Sequence, residues 1–308
     1  MVGAKMRRKK NRERADSGHP ARRVHWRGDI DLLHDLLLRS QFVRALRQAL
    51  LPLVLLAATA AAQASDSSAH DKTFLTRRDL LVGGLAIGAT GIVSIFDDDI
   101  AIASREQRYQ SEALHRFSTD VSKVNETTLT VAGLLTYGIG RLTKQETVTD
   151  IALHTTESVV LASLASQVIR GPLGRTRPHV TGDTNQYDFH FGQGFRHFEN
   201  RAFPSIHTSS GMAVATALTM ELHRRHAGAT PFVAPLLFAA GILPGISRIQ
   251  LDQHWASDIV AGAFMGVFAG YKVVSYSHDH PNNRFDRILL KASVMPDPRG
   301  GWRVGFGF

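Results

Sequence analysis

The sequence contains no cysteine, which excludes disulfides, thiolate metal sites and a cysteine nucleophile. It has no HExxH and no carboxylate pair that suggests a metal, and no internal repeat of 20–50 residues. Strand signals are scarce before residue 284. Long uninterrupted apolar runs are scarce too: most apolar segments are broken by Gly, Ser, Thr or a charge and fall short of bilayer-spanning length. A basic excess is missing from the body of the chain, although the whole carries +9. Residues 1–64 hold 13 Lys and Arg against 5 Asp and Glu, leaving 23 against 22 in the other 244 residues. That distribution argues against a nucleic-acid partner. With 44% hydrophobic and 20% charged residues in 308, the chain is neither disordered nor collagen-like and can bury a large core.

The basic residues belong to a leader. Ala49 to Ala62 is an uncharged apolar run followed by Ala62-Gln63-Ala64, the pattern of a signal-peptide h-region with an A-x-A cleavage site. The 48 residues before it are long for an n-region, and Val43 fits an internal GTG start, making residues 1–42 an upstream extension. The expectation is cleavage near Ala64 and a periplasmic or envelope-associated protein. A basic cytoplasmic tail on an uncleaved anchor is the alternative. Thr76-Arg77-Arg78-Asp79-Leu80-Leu81 resembles a twin-arginine signal. Two tandem export signals are improbable, so 80–96 reads as the first bundle helix, its Gly83, Gly84, Gly88 and Gly91 suited to close packing.

After a linker at 65–78, helical periodicity recurs near 80–96, 124–142, 146–169, 206–222, 232–246 and 256–274, giving an all-α bundle over 79–283. Glu106 to Leu114 reads as a surface helix or connector, and Asp97-Asp98-Asp99 as a solvated helix start. Gly171 to Phe203 is a long aperiodic loop with an aromatic cluster, the kind that forms lids or binding loops. His179, His190 and His197 in it read as solvated. From 284 the pattern alternates around Pro296-Asp297-Pro298-Arg299-Gly300-Gly301, a C-terminal β-hairpin over 284–308 whose Trp302, Val304, Phe306 and Phe308 need a docking surface.

Three segments carry the chemistry. Arg170 is followed after six residues by Arg177-Pro178. Pro204-Ser205-Ile206-His207 opens an apolar helical run. Ser247-Arg248 is followed after five residues by His254 and after three more by Asp258. His254 and Asp258, four apart on one helical face, let a carboxylate hold one imidazole nitrogen and leave the other for nucleophilic or basic work. Ser205 stands where an N-cap and helix-start N–H groups bind anions. Arg170, Arg177 and Arg248 supply planar donors for phosphate oxygens, and His207 stands beside them as a general acid.

These segments resemble the type 2 phosphatidic acid phosphatase superfamily, which includes bacterial acid phosphatases and vanadium haloperoxidases: Lys-x6-Arg-Pro, Pro-Ser-Gly-His and Ser-Arg-x5-His-x3-Asp, in that order. The resemblance implies an all-α helical bundle of the acid phosphatase/haloperoxidase type. It implies that His254 attacks phosphorus to form a phosphohistidine, that Asp258 orients it, and that His207 protonates the leaving oxygen. Arg170, Arg177, Arg248, Ser205 and the Ile206 N–H would hold the phosphoryl oxygens, with no metal and no cofactor. The substrate would be a phosphorylated lipid or small molecule, in a phosphomonoester or diphosphate. A vanadate-dependent haloperoxidase, a non-catalytic envelope protein and a six-span membrane lipid phosphatase are the alternatives. The sequence does not give the oligomeric state.

Two positions depart from the pattern: Arg170 stands for Lys and Ile206 for Gly. Ile206 would add bulk beside the phosphoryl group. Were its backbone forced to positive φ, strain of about 1–3 kcal/mol would follow, and Ile206→Gly would then raise thermal stability.

Overall fold

The computed structural model describes residues 75–106 and 110–280, together with the backbone of 292–296 and 302–306. The leader, its cleavage site and most of the linker lie outside the described residues.

Helices dominate. Thr76 caps α1 (Arg77–Ser94) in a reciprocal box with Asp79, whose carboxylate accepts the Thr76 N–H at 2.7 Å. A bend leads to α2 (Asp97–Ser104), and Ser111 caps α3 (Glu112–Val121). Asn125 accepts from the N–H groups of Thr127 and Thr128 to start α4 (Glu126–Leu142). Then comes α5 (Glu146–Leu173), which runs past Gly171 and Pro172 and stops at Gly174, where a left-handed φ of 63° suits glycine. The loop expected from Gly171 therefore begins three residues later, and it holds the single turn α6 (Pro178–Thr181) and two 3₁₀ turns. Three long helices complete the domain: α7 (Ile206–His226), α8 (Thr230–Gln250) and α9 (Ala256–Asp279). At the C-terminus, β1 (Ala292–Pro296) pairs antiparallel with β2 (Trp302–Phe306), Val294 opposite Val304. The side chains on which a docking role would rest lie outside the described residues.

Helix α7 is the hub, packed against α5, α8 and α9. Its buried face is small and polar: Ser209, Ser210, Gly211, Ala213, Thr216 and Ala217 are all enclosed. Ser209 and Ser210 meet Ser166 and Ser163 of α5 at 2.9 and 3.1 Å, while Ala162, Ala213 and Ala269 close the centre. Backbones come very near. A Cβ on Gly211 would stand 2.2 Å from the Gly241 carbonyl oxygen, and one on Gly266 2.2 Å from that of Ser209, so only glycine permits these crossings.

The large apolar side chains point the other way. Leu80, Leu85 and Ile87 of α1 are about two-thirds exposed or more, and no residue of α1 is buried. Leu134, Leu135 and Ile139 of α4, Leu164 and Val168 of α5, and Phe232 and Leu236 of α8 are likewise exposed. Small and polar residues inside, with leucine and isoleucine outside, is the pattern of helices packed in lipid.

Two expectations change here. Gly83, Gly84, Gly88 and Gly91 make no close approach; nothing lies within 4 Å of a Cβ built on any of them. And the apolar segments are not too short: Ile206–Gln250 and Ala256–Asp279 are long and apolar enough to cross a membrane, and α1 with α2, bent by 55°, would make a further span. Helices α5, α7, α8 and α9 run several residues past the C-terminal ends of their apolar runs, which run-length counting in the sequence underestimates.

What fixes α1 on α9 is charge. Asp79 and Lys272 pair at 2.5 Å with side chains only 11% and 10% exposed. Removing one partner of a buried pair leaves the other uncompensated, at a cost of about 3–5 kcal/mol. Lys272→Ala should accordingly lower the thermal midpoint markedly in detergent, whereas the exposed-pair variant Lys123→Ala should barely move it. Equal, small effects in differential scanning would show that α1 is held otherwise.

Candidate active site

The helix ends assemble a single buried cluster. It gathers the C-terminal turns of α5 and α8, the N-terminal turns of α7 and α9, and the loop between α5 and α7. Arg170, Arg177, Ser205, Ile206, His254 and Asp258 are all buried.

Asp258 organises it. Its Oδ2 accepts the Trp255 N–H at 2.8 Å, the reach-back of an N3 carboxylate, and lies 3.3 Å from His254 Nδ1. Its Oδ1 accepts from Arg175 Nη1 at 2.6 Å, and its carbonyl accepts the Ser205 N–H at 3.0 Å. Ser205 is the N-cap of α7, its Oγ taking the Thr208 hydroxyl at 3.0 Å. Ile206 and His207 therefore fall in the first turn, whose N–H groups have no acceptor within the helix.

The three arginines expected at the site are here. Arg170 donates through Nε and Nη2 to the Arg201 carbonyl at 3.0 and 2.5 Å. Arg177 donates to the Phe198 carbonyl at 3.3 Å and to Gln253 Oε1 at 2.5 Å, with the Phe198 ring 4.1 Å from its guanidinium. Arg248 Nη2 donates to the same Gln253 oxygen at 3.1 Å. Burial, then the neighbouring Arg248 and Arg170, push Arg177 down to about 10. Burial and then Arg177, Arg170 and Arg248 hold His254 well below the ordinary histidine value of 6.5, so its imidazole is neutral. Among the described residues, His207 Nδ1 and Arg248 Nε are buried polar atoms with no hydrogen-bond partner. Cations crowded around a neutral imidazole and a helix start make a receptor for an oxyanion.

Several positions differ from what the sequence implied. Asp97 is not a solvated helix start but fully buried; it accepts from Arg175 Nη2 at 2.8 Å and from the Ser257 N–H at 2.8 Å. Arg175 and Asp97 escaped sequence reading because their partnership spans 78 residues and neither stands in a recognisable spacing. His179 is exposed, as expected, and it also bridges loops, its Nδ1 donating to the Asp252 carbonyl at 2.8 Å and its Nε2 lying 2.9 Å from Glu199. Behind His254, Arg105 braces the carboxylates of Asp183 and Asp252. Burial and the adjacent Asp183 raise Asp252 to about 6. Ile206 is helical and buried, and it is absent from the positive-φ residues, which are Lys144, Asp183 and Asp252. The strained case for this residue is thereby excluded.

With this geometry in place, the comparisons with known proteins are informative. The PAP2 superfamily matches residues 151–281, a stretch that holds every residue of the cluster except Asp97 and Arg105. The chain is similar to the lipid A 1-phosphatase of Rhizobium etli, 27% identical over 146 residues, covering 47% of this chain and 53% of the relative. The Porphyromonas gingivalis lipid A 1-phosphatase is 35% identical over 69 residues, 22% of this chain and 15% of the relative. That of Rhizobium johnstonii is 26% identical over 111 residues, 36% and 41% of the two chains. The chain thus spans about half the length, or less, of the curated relatives it matches. Among solved structures, a transmembrane PAP2 type phosphatidylglycerolphosphate phosphatase from Bacillus subtilis aligns with a TM-score of 0.49 at 20% identity, covering 67% of this chain and 96% of that one.

Two outcomes follow from this site. Ile206→Gly should lower stability, not raise it, because it removes a buried side chain whose truncation even to Ala costs about 2–5 kcal/mol; a higher thermal midpoint would contradict the helical, unstrained backbone. The depressed His254 pKa makes the native state bind fewer protons than the unfolded chain just below pH 6.5. Stability should therefore be intact above that value and fall as pH drops below it, with a shallower fall in His254→Asn, as read by thermal unfolding across pH 5–8.

Proposed function

We propose that this chain is a membrane-embedded phosphohydrolase that removes phosphate from a lipid-linked ester through a phosphohistidine on His254. The convergence of Arg170, Arg177 and Arg248 on the neutral His254 imidazole, backed by Asp258, is the observation that carries this reading. The resemblance of the motifs and the names of the relatives support the same reaction class. In it, a ring nitrogen of His254 attacks phosphorus as the bond to the leaving oxygen breaks. His207 gives that oxygen a proton, and water then attacks the phosphohistidine to release inorganic phosphate and the free imidazole. The three guanidiniums and the first-turn N–H groups of α7 stabilise the charge on the equatorial oxygens. They furnish the positive field that a metal supplies in other phosphatases, so the step is written without one.

A lipid substrate and a membrane setting are supported by the surface. The apolar outer faces of α1, α4, α5 and α8 would be costly in water over such an extent. Beside the site, Tyr187, Phe191, Phe195 and Phe198 expose more than half their surface, where amphipathic and aromatic rings favour the interface between headgroups and acyl chains. This membrane setting favours the membrane lipid phosphatase alternative over the periplasmic or envelope-associated bundle expected first from the sequence.

The test uses full-length protein in detergent with a phosphorylated lipid and an activated aryl phosphate. His254→Ala should abolish turnover of both and lose the acid-labile phosphoryl label that wild type acquires. His207→Ala should slow the lipid by about 10²–10⁴-fold and the aryl phosphate far less, because only the poor leaving group needs a proton. Equal losses on both would make His207 structural, and extraction of the protein by a carbonate wash would overturn the membrane setting.

A further inference from the structure

At the other end of the α5–α7–α9 core lies a second cluster, of a composition different from the first. Asp150 and His154 stand four apart on α5, Glu221 lies on α7 and His278 on α9, and one ligand atom from each falls within 4.8 Å of the others. His154 Nδ1 and His278 Nε2 approach the same carboxylate oxygen, Glu221 Oε1, at 2.7 and 2.8 Å. His154 Nε2 faces Asp150 Oδ1 at 3.5 Å. Arg225, one turn after Glu221, takes the remaining oxygens: Glu221 Oε2, and Asp150 Oδ2 at 2.7 Å. Each carboxylate thus gives one oxygen to Arg225 and turns the other toward imidazole.

From these positions we infer that Asp150, His154, Glu221 and His278 form a structural site for one divalent transition-metal ion of zinc type. Two imidazoles and two carboxylates are a borderline N/O donor set, suited to tetrahedral zinc and poorly suited to calcium or magnesium. Metal–ligand bonds of about 2.0–2.1 Å place tetrahedral donors about 3.4 Å apart, so atoms already within 4.8 Å reach that shell by small side-chain rotations. The charge count agrees. Two carboxylates against one guanidinium leave one negative charge beside the two imidazoles for a cation to meet. Arg225 on the outer oxygens orients the carboxylates, as partners beyond the ligands do in metal sites. Access exists as well, since Asp150 and Arg225 line an open cleft beside the end of α4.

The site is remote from the phosphoryl chemistry. At 1.5 Å per residue, His207 to Glu221 spans about 21 Å along α7, and Asp258 to His278 about 30 Å along α9. A metal there would tie three helices together at one end while the PAP2 residues work at the other.

Untagged full-length protein, stripped with a chelator and dialysed, is titrated with zinc and separately with cobalt(II). One zinc per chain by elemental analysis, a raised thermal midpoint and the intense visible bands of four-coordinate cobalt are expected. His278→Ala should weaken zinc binding by about tenfold or more, whereas the exposed loop variant His190→Ala should bind as wild type does. Should His278→Ala not fold, His278→Gln takes its place, and the cobalt spectrum of wild type stands independently of either. No stoichiometric uptake by the stripped wild type, no cobalt bands, or equal zinc affinity in the His278 variant would each overturn the site.

Discussion

Asp258 has four polar obligations, and the rest of the site hangs on their being met together. One carboxylate oxygen is committed to Arg175, the other to the Trp255 N–H and the His254 ring, and its own carbonyl holds the N–H of Ser205. Through these contacts a single residue at the start of α9 sets the imidazole, the entry of α7 and, by way of Arg175 and Asp97, the position of α2. A buried carboxylate would be expensive alone, but with a guanidinium, a backbone N–H and an imidazole the cost is offset by directional bonds. Because Arg175 neutralises it, Asp258 serves to orient His254, and its charge leaves the pull of the other arginines on an anion largely intact.

The bundle around that point inverts the usual globular arrangement. Serine, threonine, glycine and alanine line the contacts between α5, α7, α8 and α9, while leucine, isoleucine and phenylalanine face outward. Small interfaces allow close backbone approach, so helix ends can be placed within hydrogen-bonding reach of one another. The Gly262 backbone, for instance, lies so near the Ser205 carbonyl that a Cβ would stand 2.5 Å from it, which brings the first turns of α7 and α9 together at the site. Precise positioning at the helix ends and apolar outer faces are consequences of one packing choice.

The helices were legible in the sequence because periodicity is local, and Ser205 was legible as a cap because it stands just before an apolar helical run. The arginine, serine and histidine positions were legible because the motifs fix spacing within short segments. What escaped reading was non-local or directional. Asp97 sits among three consecutive aspartates, and nothing in the order of residues tells the one that meets Arg175 from its neighbours. The glycines of α1 have the composition of a packing face, yet their helix presents apolar side chains outward and docks through the Asp79–Lys272 pair. The second cluster went unread: Asp150 and His154 stand at helical spacing, but Glu221 and His278 join them only through the antiparallel return of the chain.

The four arginines near the phosphoryl site divide into two kinds by what accepts their hydrogen bonds. Arg175 ends on the carboxylates of Asp97 and Asp258, so its charge is spent inside the protein. Arg170, Arg177 and Arg248 end on the carbonyls of Arg201 and Phe198 and on the amide oxygen of Gln253, acceptors that fix geometry without neutralising. Three guanidiniums held close together repel one another, and burial, with that repulsion added to it, displaces Arg177 downward. The fold tolerates it because each fork is locked by neutral oxygens supplied by one loop and one glutamine. Preorganised positive charge of this kind needs no rearrangement when a phosphoryl group arrives, which is the condition for fixed dipoles and charges to favour a transition state over bulk water. Arg175 holds its carboxylates by direct hydrogen bonds, whereas Glu126 and Glu199 reach the other three arginines only through space, and that difference separates the scaffold of this site from its reactive face.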